Sequence, residues 1–181
     1  MQEMNIATIA IIGAGGLGRA WACRALRAGY RTVLEDVSIS ALEQAAAAIQ
    51  GTSAVGAARL LTALSVEEAV RDADLILETV ADELEMKLEL FTIFDKFAKP
   101  GAIFASTTNA FSITDLGEMT VCPERCIGMR FALNGGEEWV TLLRGRQTSD
   151  ETVARCSDVA SCMGVAVRLA ADRAAGSAGA S

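Results

Sequence analysis

A single α/β domain with a doubly wound, mainly parallel sheet is predicted by three features of this sequence. Short apolar runs rich in β-branched residues alternate with helical segments at least five times along the chain. The first run, Ile6 to Ile12, is apolar at almost every position, as a strand covered on both faces requires. It stops at the glycine-rich turn Gly13-Ala14-Gly15-Gly16-Leu17-Gly18, which leads directly into a helical segment.

The elements follow in order. The first helix covers Arg19 to Ala28, with Gly29 as its C-terminal stop. A second strand, Thr32 to Glu35, ends at Asp36, and Ser38 occupies the N-cap position before an alanine-rich helix over Ile39 to Ile49. Gly51 to Gly56 reads as a loop, Leu60 to Leu64 as the third strand and Val66 to Val70 as a short helix. Asp74 to Val80 forms the fourth strand. The helix after it, Glu83 to Phe97, carries Leu84, Leu88, Phe91 and Phe94 at three- and four-residue steps, a core-facing stripe. Pro100-Gly101 ends that helix, Ala102 to Ser106 is strand five, Ser112 to Met119 a short helix, and Cys126 to Phe131 strand six. Trp139 to Leu143 is a strand, Asp150 to Met163 a helix and Val165 to Leu169 the last strand. Beyond Leu169 the chain is rich in Ala, Gly and Ser without hydrophobic period, so residues 1–169 are expected to form the domain and 170–181 a flexible tail.

At 181 residues the chain can bury one core without cross-links. A formal charge of −7 without any cluster of Lys and Arg argues against nucleic acid as a partner. The five cysteines, Cys23, Cys122, Cys126, Cys156 and Cys162, include no CxxC pair, and there is no histidine. They read as small buried or half-buried thiols of a reducing compartment, and no metal site is expected. Ile6 to Ile12 is too short to span a bilayer and lacks the basic flank and cleavage site of a signal peptide. A soluble, cytoplasmic protein without membrane association is expected.

The glycine turn gains meaning from its context between a buried strand and a helix. Gly13 permits the tight turn, Gly15 a close approach of the backbone to a diphosphate, and Gly18 close packing of helix on strand. The helix N-terminus offers unpaired N–H groups and a positive dipole end. Asp36 lies eighteen residues after Gly18, at the end of strand two, where a carboxylate can accept both ribose hydroxyls of an adenosine. It also repels a 2′-phosphate and has no neighbouring arginine, which favours NAD over NADP. These features describe a Rossmann-type NAD(H)-binding domain.

Longer blocks resemble a particular family. Ala73 to Val80 followed by Glu83 to Phe91, Pro100 to Asn109 continuing into Ser112-Ile113-Thr114, and Pro123 to Phe131 are similar to the 3-hydroxyacyl-CoA dehydrogenases in order and spacing. The similarity runs from the first strand to about Val167. It implies NAD-dependent oxidation of the 3-hydroxyl of an acyl-CoA or small acyl substrate within fatty acid metabolism. In that family a histidine takes the hydroxyl proton, a glutamate orients the histidine, and a serine and an asparagine hold the substrate oxygen.

Carried onto this sequence, the resemblance gives a cofactor set of Gly13, Gly15, Gly16, Leu17, Gly18, Asp36, Thr79, Asp82, Lys87 and Asn109. Asp82 stands where a glutamate is usual, and Lys87 matches a lysine near cofactor and CoA. The catalytic positions are altered. The family's serine falls on Asn109, its histidine on Arg130, its asparagine on Leu133 or Asn134, and its orienting glutamate near Thr141 if one residue is deleted before Trp139. A guanidinium holds its proton to above about pH 12, so Arg130 is no base at neutral pH. Arg130 reads either as an anion contact or as a partner of Glu137 or Glu138. The family's helical domain, which dimerises and covers the acyl-CoA, does not fit within Ala170 to Ser181. Two functions remain in view: a dehydrogenase-like oxidoreductase impaired at its catalytic positions, and a non-catalytic NAD(H)-binding or scaffolding domain.

Overall fold

The apolar run at the start folds as β1 (Thr8–Ile12), and every one of its residues is buried. Its side chains alternate between two cores. Ile9 and Ile11 join Trp21, Leu34 and Leu77 on one face of the sheet, while Ala10 and Ile12 join Ile76, Phe91 and Phe104 on the other. A central strand with helices on both faces has no polar side to spare, which explains the uninterrupted run. The computed structural model describes residues 6–52 and 59–172.

The chain continues through α1 (Gly16–Arg27), β2 (Arg31–Glu35), α2 (Ile39–Thr52), β3 (Leu60–Ala63), α3 (Val66–Val70), β4 (Leu75–Glu78) and α4 (Leu84–Phe97). Then come β5 (Ile103–Ser106), α5 (Ile113–Gly117), β6 (Cys126–Asn134), β7 (Glu137–Arg144), α6 (Asp150–Cys162) and β8 (Ala166–Ala171). The sheet order is β3-β2-β1-β4-β5-β6-β7-β8. Every neighbouring pair is parallel except β6 with β7. The domain is therefore of the doubly wound Rossmann type. The winding changes direction between β1 and β4, so the connections leaving their carboxyl ends diverge and open a crevice.

Three departures from the sequence reading have physical reasons. α1 starts at Gly16 rather than Arg19, because the second half of the glycine turn is already the first helical turn. The β6–β7 ladder runs on past Phe131 to the pair Asn134–Glu137. There Gly135 and Gly136 sit at φ of +59° and +89°, the conformation of a two-residue hairpin that glycine adopts without strain. The Gly-Gly pair was the signal for this hairpin. Finally, the expected tail begins too early: Ala170 and Ala171 pair with Leu143 and Arg144 of β7. Asp172 accepts hydrogen bonds from Ser112 Oγ at 2.7 Å and from the Thr114 N–H at 2.9 Å. Small residues without periodicity can still complete a sheet edge when a partner strand supplies the ladder. The remainder of the predicted tail, 173–181, and residues 53–56 of the predicted loop lie outside the described residues, whereas Gly51 and Thr52 belong to α2.

Of the thiols, Cys122, Cys126 and Cys156 are buried, Cys23 is half-buried and Cys162 is exposed. Burial pushes the Cys126 and Cys156 thiols up to about 12, so neither offers a thiolate at neutral pH.

Candidate active site and cofactor cleft

The crevice is built from the first turn upward. Gly13 has φ +105°, a conformation open to glycine, and a Cβ there would lie 2.9 Å from Thr79 Oγ1. At Gly18 a Cβ would fall 1.9 Å from the Gly13 carbonyl oxygen, so helix and strand can approach this closely only without a side chain. Around Gly15 and Gly16, by contrast, a Cβ would meet nothing within 4 Å. The space beside Gly15 is open toward solvent, as a seat for a diphosphate must be.

Thr79, just after β4, ties the turn down: its Oγ1 lies 2.9 Å from the Ile12 carbonyl and 3.0 Å from that of Gly13, and donates to them. Thr79 thus braces the turn with its side chain. The N-terminus of α1 is left without a side-chain cap and has no acidic residue in its first turn. α4 is likewise without a side-chain cap, at Glu83, but carries Glu85 in its first turn, and the remaining α-helices are capped. Ser38, Ser65, Ser112 and Ser149 accept hydrogen bonds from the N–H groups of Ala41, Glu68, Asp115 and Thr152 at 3.1–3.3 Å. The uncapped donors of α1 and its positive dipole end are therefore free to hold an anion.

Asp36 closes the other side of the turn. Its Oδ2 accepts from the Ala14 N–H at 2.7 Å and its Oδ1 from the Ser38 N–H at 2.8 Å. Both bonds come from backbone, which locks the carboxylate at the lip of β2 while leaving acceptor lone pairs for two hydroxyls.

On the far side of the crevice stands a buried network. Lys87 on α4 and Glu78 at the end of β4 have side chains with no exposure. Lys87 Nζ donates to Glu78 Oε1 and Oε2 at 2.8 and 2.9 Å, and to the Val80 carbonyl at 3.2 Å, and it lies 3.2 Å from Asp82 Oδ1. Ser106 Oγ donates to Glu78 Oε2 at 2.6 Å, and the Val80 N–H donates to Oε1 at 2.7 Å. Asp82 in turn accepts from the Asn109 N–H at 3.1 Å. Burial alone would raise the Asp82 carboxyl, but hydrogen bonds from Thr108, the Asn109 N–H and Lys87 hold it below the usual carboxylate range. Lys87, which the resemblance sets near cofactor and CoA, has no exposed side-chain surface. It is buried, its protons are taken by Glu78, Val80 and Asp82, and it reaches the cleft only through Asp82. Glu78 and Ser106 were not singled out from the sequence; an acid ending an otherwise apolar strand was the available signal.

Arg130 on β6 is the direct cross-strand partner of Thr141 on β7. Its Nε donates to the Thr108 carbonyl, in the loop that carries Asn109. The expected partners are engaged elsewhere: Glu138 pairs with Arg24 at 2.9 Å, and Glu137 lies 3.9 Å from Arg168. Thr141 Oγ1 accepts from the Trp139 indole N–H at 3.1 Å. Leu133 and Asn134 sit farther out near the hairpin, both exposed. Arg130 thus stands opposite Thr141 and reaches the loop that carries Asn109, and none of these three side chains is a base near neutral pH.

The family model for the 3-hydroxyacyl-CoA dehydrogenase NAD-binding domain matches residues 8–172. The chain belongs to this family. It is 33% identical over 183 residues to a 3-hydroxybutyryl-CoA dehydrogenase of Bradyrhizobium diazoefficiens, covering 92% of this chain and 62% of the relative. It is 34% identical over 174 residues to an L-carnitine dehydrogenase of a Pseudomonas species, covering 89% and 54% respectively. Among solved structures, the (S)-3-hydroxybutyryl-CoA dehydrogenase PaaH1 of Ralstonia eutropha superposes with a TM-score of 0.86 at 26% identity, over 93% of this chain and 65% of that one. The chain thus spans somewhat over half the length of these curated relatives. Its cofactor is NAD. The uncapped α1 terminus, the open space at Gly15 and the fixed Asp36 carboxylate suit that group.

Proposed function

We propose that this chain seats NAD(H) as the cofactor half of a dehydrogenase-like oxidoreductase whose catalytic positions no longer supply a base. The N–H groups at the start of α1 would hold the diphosphate and Asp36 the adenosine ribose. Asp82 and Asn109 would face the nicotinamide side. Bound NAD supplies a hydride acceptor, and the residues of this chain hold and orient it. The observation that carries this reading is Asp36, fixed by the Ala14 and Ser38 N–H groups at 2.7 and 2.8 Å beside an uncapped helix terminus. A titration of NADH followed by its fluorescence tests it. Saturation at micromolar concentrations is expected, and none below millimolar would remove the reading.

The relatives are named for different substrates, 3-hydroxybutyryl-CoA and L-carnitine, so family membership alone does not fix the acyl group. An acyl-CoA or a small acyl compound, in a cytoplasmic setting of fatty acid metabolism, is the substrate class we put forward. Among the described residues no helix is long and apolar enough to cross a membrane.

A second reading is favoured by the pairing of Arg130 with Thr141. Oxidation of a secondary alcohol needs an acceptor for the hydroxyl proton as well as for the hydride. Arg130 cannot accept it, Thr141 cannot orient a base, and the sequence contains no histidine. A non-catalytic NAD(H)-binding or scaffolding domain follows directly from that chemistry.

A further inference from the structure

Glu35, the last residue of β2, is only 3% exposed. It shares the sheet face of Val33, toward α3, and is flanked in register by Ile12 of β1 and Ala63 of β3. Among the described residues no hydrogen bond or ion pair reaches its carboxylate, although its own carbonyl accepts the Gly13 N–H at 2.9 Å. The charged groups that act on it are both acidic: Asp36, the next residue, and Glu67 on α3. β1 and β3 bring only Ile12 and Ala63 alongside. Lys87, the fully buried cation among the described residues, is committed to Glu78 two strands away.

A carboxylate stripped of water, unpaired and facing two like charges is a poor anion. Burial, then Asp36, then Glu67 push its carboxyl up to about 7. Its position matters as much as its environment, because it adjoins the aspartate that would hold the adenosine ribose and its backbone anchors the glycine turn.

We propose that Glu35 is the proton-linked group of the adenosine subsite: NAD(H) binds preferentially with this carboxyl protonated, and binding takes up a proton. This rests on the cofactor reading given above. An adenosine lying on Asp36 excludes water from the lip of β2, and the diphosphate brings negative charge to the turn that Glu35 anchors. Both effects disfavour an ionised Glu35, and by linkage its ionisation disfavours the cofactor. The site then binds NAD(H) more weakly as pH rises, although the dinucleotide's own charge does not change over this range.

Calorimetric titration of NADH at pH 7 in two buffers of different ionisation enthalpy reads the proton directly. A fraction of one proton taken up per NADH is expected, with affinity falling roughly fivefold from pH 6 to 8.5. Glu35→Gln, which mimics the protonated side chain, should abolish the uptake and hold the affinity flat at its low-pH value. Glu67→Gln should retain the uptake but move its midpoint to lower pH. Binding with no proton uptake, or equal uptake in Glu35→Gln, overturns the proposal while leaving the cofactor reading intact. Absence of NADH binding in every variant at every pH overturns both.

Discussion

Arg130 and Thr141 stand directly opposite each other across the β6–β7 ladder. On the proposed reading these are the positions of the family's base and, near Thr141, of the group that orients it. The antiparallel hairpin still delivers two side chains to one point beside the crevice. On that reading the scaffold for a proton relay is kept and the residues that would run it are replaced.

The first prediction follows from that pair. With acetoacetyl-CoA the chain should oxidise NADH no faster than the uncatalysed background. Arg130→His combined with Thr141→Glu should raise turnover by roughly a hundredfold, the lower range for an added general acid–base, while NADH affinity stays unchanged. Steady-state assays decide it. Robust turnover by the unaltered chain that Arg130→Ala abolishes would show that the arginine takes part in chemistry.

Two neighbouring glycines should respond in opposite ways. Gly18→Ala forces a methyl to 1.9 Å from the Gly13 carbonyl, so the turn must shift and stability should fall by about 2–4 kcal/mol in a denaturant titration. Gly15 has φ −64° and open space around it, so Gly15→Ala should fold as well as the parent. Its methyl would occupy the diphosphate seat, and NADH affinity should drop at least tenfold. Equal affinity in Gly15→Ala would place the diphosphate elsewhere.

Asp36 has both a structural and a binding task. Asp36→Asn keeps one acceptor for the Ala14 or Ser38 N–H and turns an amide donor on the other, so it should cost about 1–2 kcal/mol of stability. It also loses the charge proposed to receive the ribose hydroxyls, an expected loss of about 1.5–3 kcal/mol in NADH binding. Fluorescence titration beside a thermal melt separates the two effects.

Lys87 and Glu78 form an ion pair with no solvent exposure on either side. Lys87→Met leaves Glu78 charged and buried, which should cost about 3–5 kcal/mol of stability. Adding Glu78→Leu should recover much of that loss, since the stranded charge is gone. In the double variant Asp82 is no longer tied to α4, so NADH affinity should stay low even where stability returns. Chemical denaturation of the two variants and the parent measures the coupling.

Glu35 sets a slope in the stability curve. Its proton affinity is raised in the folded protein, to about 7 from an ordinary 4.5, so the folded state keeps a proton that the unfolded chain releases. Stability from this group is full below about pH 4.5 and falls as pH rises toward 7. Glu35→Gln should therefore gain on the order of 2 kcal/mol over the parent at pH 8 and little at pH 4.5. Denaturant midpoints across that range test the sign.

Much of this molecule was legible in the sequence. β1 announced itself because a central strand must be apolar on both faces, and Gly13, Gly18 and Asp36 because each sits where backbone geometry or charge admits few alternatives. The blocks around Thr79, Asn109 and Arg130 identified the family for the same reason: their order follows the strand ends that line the crevice. Legibility failed where a side chain's role depends on what lies across the fold. Nothing local to Lys87 says that Glu78, nine residues earlier, will take its charge out of solvent. Nothing in the Ala-rich stretch at Ala170 and Ala171 says that β7 will pair with it. Glu35 looks like an ordinary strand-end acid until α3 covers it. The sequence by itself determined the strand–turn–helix that seats NAD and the absence of any histidine, because both are properties of residue type and spacing. Only the tertiary structure decided that Arg130 meets Thr141, that Lys87 is internal and that Glu35 has no partner among the described residues, because burial and partnership are set by elements distant in the chain.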